Sequence, residues 1–179
     1  MKCLLPLAAL IGLSGCAVSL QPFYSKDVIS DDRSIEGRWT DGKDTWQVTR
    51  VSPGRFEIGD CDSGGVDCKT DIVGVLFRSG GVMFLDFTEK PDTAFSTAFR
   101  LHGLLQLRTL STPNGAIDVT MLDSDRVAKL AKHHTLDTEF ADTDTGAVLT
   151  ARPENLRKFV GRHLNDGQLF AETHHLRRP

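Results

Sequence analysis

Between Gly37 and Leu122 the chain is a succession of short runs rich in β-branched and aromatic residues, each cut off by Gly, Pro, Asn or Asp. Runs of that length are too short for ordinary helices, and several alternate apolar with polar residues, so they specify strands joined by hairpins. The expected strands cover residues 37–40, 45–51, 55–59, 70–78, 81–87, 95–102, 104–110 and 116–122. Ser79-Gly80-Gly81 and Pro113-Asn114-Gly115 mark two tight turns, because Gly and Asn accept the positive φ angles that hairpins impose. Ile117, Val119 and Met121 alternate with Asp118 and Thr120, the pattern of a strand with one buried face.

The period changes in the last third. Asp123 or Ser124 can cap a short helix with Val127, Leu130 and Ala131 on its apolar side, ending near His134. A hairpin of residues 136–140 and 147–150 follows around Asp142-Thr143-Asp144-Thr145-Gly146. Pro153 then opens an amphipathic helix on which Leu156, Phe159, Val160, His163 and Leu164 share one stripe, with Gly167 suited to its C-terminal cap. Arg157, Lys158 and Arg162 lie mainly off that stripe and read as its solvated side. About eight hairpin-connected strands with one or two C-terminal helices predict a mainly β, α+β fold. Its single antiparallel sheet curls or closes into a barrel, with a helix over an open end or edge. Residues 36–179 are expected to form this one globular domain, a length too short for two ordinary ones.

The first residues are of another kind. Lys2, the apolar stretch from Leu4 to Leu13 and the small Ser14 and Gly15 have the layout of a secretory signal peptide over residues 1–15. The uncharged run around it falls short of the roughly 20 apolar residues that cross a bilayer. Leu13-Ser14-Gly15-Cys16 resembles the lipobox of bacterial lipoproteins, the substrates of signal peptidase II. The resemblance implies that Cys16 carries a thioether-linked diacylglycerol and becomes the acylated first residue of the mature chain. Two or three acyl chains, at about 0.8 kcal/mol per buried CH₂, anchor a domain to a membrane without further help. Ala17 stands where inner-membrane lipoproteins of many Gram-negative bacteria carry aspartate, which implies a place in the cell envelope at the outer membrane, facing the periplasm. Residues 16–35 are polar with scattered apolar positions and no sustained period; they read as a lipidated N-terminus and a tether able to pack in part, on the order of 60 Å long when extended.

With Cys3 lost in the signal peptide and Cys16 lipidated, Cys61 and Cys68 remain, and an oxidising compartment favours a disulfide between them. The 21 basic and 24 acidic residues leave no strongly basic face for nucleic acid. Gly37-Arg38-Trp39 resembles the Gly-x-Trp opening of lipocalins, which implies an eight-stranded barrel around a small apolar ligand. Taken by itself, Trp39 reads more simply as a core plug beneath the sheet.

Several motifs invite a catalytic or metal reading. Cys61-Asp62-Ser63-Gly64-Gly65 is similar to the nucleophile segment of trypsin-like serine proteases, but in that family the base histidine precedes the serine. Here all six histidines lie at position 102 or later, which leaves only a Ser63–His102 pair in reversed order. Asp60, Asp62 and Asp67 offer calcium-type oxygen ligands, yet an EF-hand-like loop counted from Asp60 needs a bidentate Glu where Asp71 stands. A solvated turn stapled by the disulfide is the plainer reading. His133-His134 would diverge by about 100° on a helix, and His174-His175 lie in a tail that could adapt to a metal, closed by Arg177 and Arg178. No catalytic residue, metal ligand or cofactor is assigned on these grounds. The expectation is a lipid-anchored, non-catalytic binding or structural module, whose partner beside the membrane is an envelope protein, a glycan or a small apolar ligand. The alternative is a periplasmic hydrolase drawing on polar residues of the sheet such as Asp86, His102 and Asp118.

Overall fold

Hairpins joining strands of alternating pattern have one way to dispose of both sheet edges, which is to meet around a barrel. The structure, a computed structural model, describes residues 16–62, 65, 67–91, 100–110, 115–144, 146–164, 169–171 and 173–179. Its strands are β1 (Val18–Ser19), β2 (Gly37–Thr40), β3 (Thr45–Ser52), β4 (Arg55–Cys61), β5 (Cys68–Ser79), β6 (Val82–Glu89), β7 (Gly103–Leu110), β8 (Ala116–Met121), β9 (Phe140–Thr143), β10 (Gly146–Leu149) and β11 (His174–Arg177). The helices are α1 (Ser124–Lys132) and α2 (Pro153–Arg162). Strands β2 to β8 run in sequential antiparallel order, and β11 closes the eight-stranded barrel by pairing antiparallel with both β8 and β2.

Two expectations change here. The strand expected at 95–102 lies mostly outside the described residues; within them His102 forms only a single bridge, to Ser19. The eighth stave comes instead from the expected tail. His174-His175-Leu176-Arg177 offers little apolar signal, and what holds it is the backbone register His174↔Val119 through Arg177↔Ala116.

Alternation divides the side chains between two cores. Trp39, Val48, Phe56, Leu76, Met83, Leu85, Leu107 and Ile117 fill the barrel interior. On the outer wall Phe77 of β5, Phe84 of β6, Leu104 of β7 and Leu122 just past β8 meet Val127 of α1 and Leu156, Phe159 and Val160 of α2. Strands β5 and β6 are therefore buried on both faces, which explains why they read as nearly continuous apolar runs. The expected helical cover over an open end is thus corrected: both helices, together with a second sheet of order β1-β10-β9, pack against the outside of the barrel. The Asp123 carboxylate caps α1 by accepting the Arg126 N–H at 3.0 Å, and Pro153 starts α2 as expected. Gly167 and the Pro113-Asn114 turn lie outside the described residues.

The segment expected to be a tether that packs only in part is docked from its first described residues. Ala17 and Phe23 are fully buried in the outer core, and β1 pairs in parallel with β10. The Ala17 N–H donates to the Leu122 carbonyl at 2.9 Å, and Ser19 and His102 exchange two backbone hydrogen bonds of 2.9 Å. The few apolar residues of this segment lack a period because they dock singly, each into a site made by other elements.

Antiparallel order places the β2–β3 connection, the Cys61–Cys68 disulfide, the start of β7 and the start of β11 at one end of the barrel. Cys61 and Cys68 are register partners across β4 and β5, so their bond staples the turn between these strands. At the other end stands Ile35. The Trp39 indole N–H donates to the Ile35 carbonyl at 2.7 Å, and the Arg178 guanidinium covers the Trp39 ring 3.9 Å from its centroid. Arg178 Nη1 also donates to the Glu36 carbonyl at 2.6 Å. The basic C-terminus is thereby spent on closing that end.

Trp46 shows the opposite balance, since its indole nitrogen is buried without a hydrogen-bond partner among the described residues. Trp39→Phe should therefore cost at least about 1 kcal/mol more stability than Trp46→Phe in urea denaturation followed by circular dichroism, because only the first breaks a made hydrogen bond. Replacing Cys61 and Cys68 together by Ser should lower stability by about 2.5 kcal/mol in the same assay, through the entropy of an opened loop.

Candidate functional site

Inside the barrel the two cores leave space. A cavity of about 170 Å³ is lined by fourteen apolar or aromatic residues and His174. Its lining runs from Ile35, Trp39 and Ile117 at the closed end to Ile58, Ile72, Phe87, Met121 and His174 at the other. The residues nearest the closed end are buried, whereas Trp46, Ile58, Leu105, Val119, Met121 and Leu176 keep partial exposure and His174 is exposed. The space therefore opens toward the end that carries the disulfide. Gly103 makes room for one of its walls: a Cβ there would stand 2.3 Å from the Phe87 ring. A void of this size with such walls resembles the roughly 150 Å³ apolar cavity that stays dry and takes a benzene-sized guest. It offers one polar side chain at its rim, and it suits an apolar chain or ring far better than a charged substrate.

Cys16 stands at the same end. It bridges to Asp123, is 7% exposed, and shares one cluster with Ile72 and Phe87, against which Ile58, Leu105 and Met121 pack. All five of these neighbours line the cavity. Burial pushes the Cys16 thiol up to about 11, only partly offset by a hydrogen bond from the backbone of Leu104. Such a thiol is a poor nucleophile within the folded protein. Beside it, the Ser19–His102 bridge sets Leu20 and Leu101 next to each other, and both are exposed.

A second polar cluster lies on the outer wall. Asp86 is 2% exposed; His102 Nδ1 lies 2.7 Å from its Oδ1, and the Phe23 N–H donates to its Oδ2 at 2.7 Å. Burial raises the pKa of Asp86, against the opposing pull of His102 and the Phe23 N–H. Two of the three residues considered for a hydrolase thus meet, whereas Asp118 pairs elsewhere, with His175 Nδ1 at 2.6 Å. The pairing leaves a trace in the sequence: Asp86 interrupts an apolar strand, and an aspartate so placed requires partners. The cavity leaves no comparable trace, since it depends on the closure of the barrel.

The remaining candidates disperse. His174 and His175 sit on a strand and point to opposite faces, which rules out joint chelation of one ion. His133 ends α1, and His163 lies against Phe159 and 3.3 Å from Asp137. The Asp62 carboxylate accepts the Asp67 N–H of its own turn, and Ser63 lies outside the described residues. No protein-family model matches the chain, no curated protein is significantly similar to it, and no solved structure matches it.

Asp86 supplies a pH test. An acid whose pKa is raised by folding holds its proton more tightly in the native state. Its contribution is complete below the ordinary aspartate value of about 4 and is lost as pH rises through the raised one. Asp86→Asn can keep both contacts without titrating. The stability of the natural protein relative to this variant should therefore fall as pH rises above about 4 in urea denaturation; a constant difference would remove the linkage.

Proposed function

We propose that this protein is a lipid-anchored, non-catalytic β-barrel module of the cell envelope that binds a small apolar ligand inside its barrel. The observation that carries the proposal is the apolar cavity of about 170 Å³ opening beside Cys16. The signal-like residues 1–15 and the lipobox-like Leu13 to Cys16 support the anchor. The exposed pair Leu20 and Leu101 at the open end fits apposition to a lipid surface. Closure speaks against strand addition as the binding mode of the barrel, because its strands leave no free edge. Among the candidates for a partner, an envelope protein, a glycan or an apolar molecule, the walls of the cavity favour the last.

The hydrolase reading has one observation in its favour, the Asp86–His102 pair, in which a buried carboxylate orients an imidazole as in a base-and-orienter arrangement. Both residues, however, lie on the outer wall beneath the N-terminal segment, and one carboxylate oxygen is spent on the Phe23 N–H. A cavity without convergent titratable groups sits badly with catalysis at that place.

The only tryptophans of the chain, Trp39 and Trp46, both line the cavity, so intrinsic fluorescence reports on it directly. Brominated stearic acid should quench this emission saturably in the full chain carrying Cys16→Ala. Val119→Phe, which projects a ring into the cavity, should weaken the apparent affinity at least about tenfold, a loss of about 1.4 kcal/mol. Quenching that is linear and untouched by Val119→Phe would sink the ligand reading.

A further inference from the structure

We infer that the natural occupant of the barrel cavity is an acyl chain carried by Cys16 itself, so that the protein holds part of its own anchor. The inference rests on the anchoring proposed above and deepens it. Its ground is the position of residue 16. A lipidated cysteine at the end of a long tether would be free to put all its chains into a membrane. Here no slack exists. Cys16 is bridged to Asp123, the next residue donates its N–H to Leu122, and Ser19 is paired with His102. The sulfur is fixed within a cluster whose other members, Ile72 and Phe87, are walls of the cavity.

A diacylglyceryl group replacing the thiol proton must leave that buried point by one of two routes. Outward, it has to pull residues 16 and 17 off their pairing and expose Ala17, which is 1% exposed. Inward, it meets Ile58, Leu105 and Met121, partly exposed apolar residues that border existing space. Either route gives up the thiol's own hydrogen bond to the Ala17 carbonyl, but the second keeps the backbone pairing of residues 16 and 17 and fills a void, and unfilled voids forfeit packing contacts. A space close to the size that holds benzene takes on the order of six to eight carbons of one chain, and the remaining chains stay available to the bilayer. The buried, weakly acidic thiol fits the same order of events: acylation precedes folding, and the body then closes around the attached chain.

The test compares the acylated full chain, extracted from membranes, with the full chain carrying Cys16→Ala, both in the same maltoside detergent. Mass spectrometry first establishes the acyl groups on Cys16. Brominated stearic acid is then titrated while Trp39 and Trp46 fluorescence is followed. The expected result is saturable quenching of the Cys16→Ala chain and at least about tenfold weaker quenching of the acylated chain, because its cavity is already filled. Acylated protein carrying Val119→Phe should release its chain, which a blue-to-red shift of the tryptophan emission would register; that variant keeps Cys16 and its pairing intact. Equal quenching of the acylated and Cys16→Ala proteins would place the acyl chains outside the barrel and overturn the inference while leaving the anchor in place. A mass without acyl groups on Cys16 would overturn the anchor and the inference together. Absence of quenching in the Cys16→Ala chain, with its circular dichroism native, would overturn the cavity as an apolar site and the inference with it.

Discussion

The pairing of β11 with both β8 and β2 is the constraint on which the rest of this fold depends. Without it β2 and β8 would be two bare edges, and the interior would be a groove. Arg178 would not reach the Trp39 ring or the Glu36 carbonyl, so the closed end would lose its cover. The stave arrives late, after roughly fifty residues of helix and second sheet, but closing a long loop costs only slightly more than closing a short one. The insertion is also not idle chain. It buries the outer faces of the strands that the barrel leaves apolar, which ties closure of the barrel to assembly of the second core.

Strands β5 to β7 therefore serve two cores at once, and their side chains have little freedom to change. Met83, Leu85 and Phe87 of β6 face inward while Phe84 and Asp86 face the helices and the N-terminal segment. Asp86 is the costly member of this wall, a carboxylate in an apolar layer. Its cost is offset because it supplies what a segment laid across a sheet otherwise lacks, an acceptor for a buried N–H, here that of Phe23. His102 occupies its other oxygen, and through its backbone His102 also holds Ser19. One polar cluster thus fastens the N-terminal segment at two points.

The readable parts of this fold were those encoded by period. Seven of the eight barrel staves follow from alternation and turn residues, and both helices follow from their caps and stripes; the Cys61–Cys68 disulfide follows from cysteine count instead. What escaped was whatever owes its structure to distant partners. His174-His175-Leu176-Arg177 has the composition of a mobile tail, and only the open backbones of β2 and β8 make it a strand. Phe23 and Ala17 are isolated apolar residues in a polar stretch, and their burial depends on the outer core that distant elements build. Asp86 was legible as an anomaly but not as a pair, since sixteen residues separate it from His102. The cavity was legible only through what the lipocalin-like Gly37-Arg38-Trp39 implies, because each of its lining residues looks like ordinary core.

These long-range dependencies bear on what an anchor at Cys16 would do. In most tethered domains the address and the binding surface are separate modules, joined by flexible chain that lets each act alone. Here Cys16 packs on Ile72 and Phe87, two walls of the cavity, so the two are coupled. A membrane holding Cys16 would hold the open end of the barrel within a few ångströms of its surface, with Leu20 and Leu101 beside it. Any apolar molecule entering the cavity would then pass between lipid and barrel without crossing water, the step in which exposed hydrocarbon is most costly. The same geometry would make an acyl chain on Cys16 a competitor for the site that it would bring to the membrane. Whether the barrel were empty or filled would then be decided by that chain before any free ligand is considered.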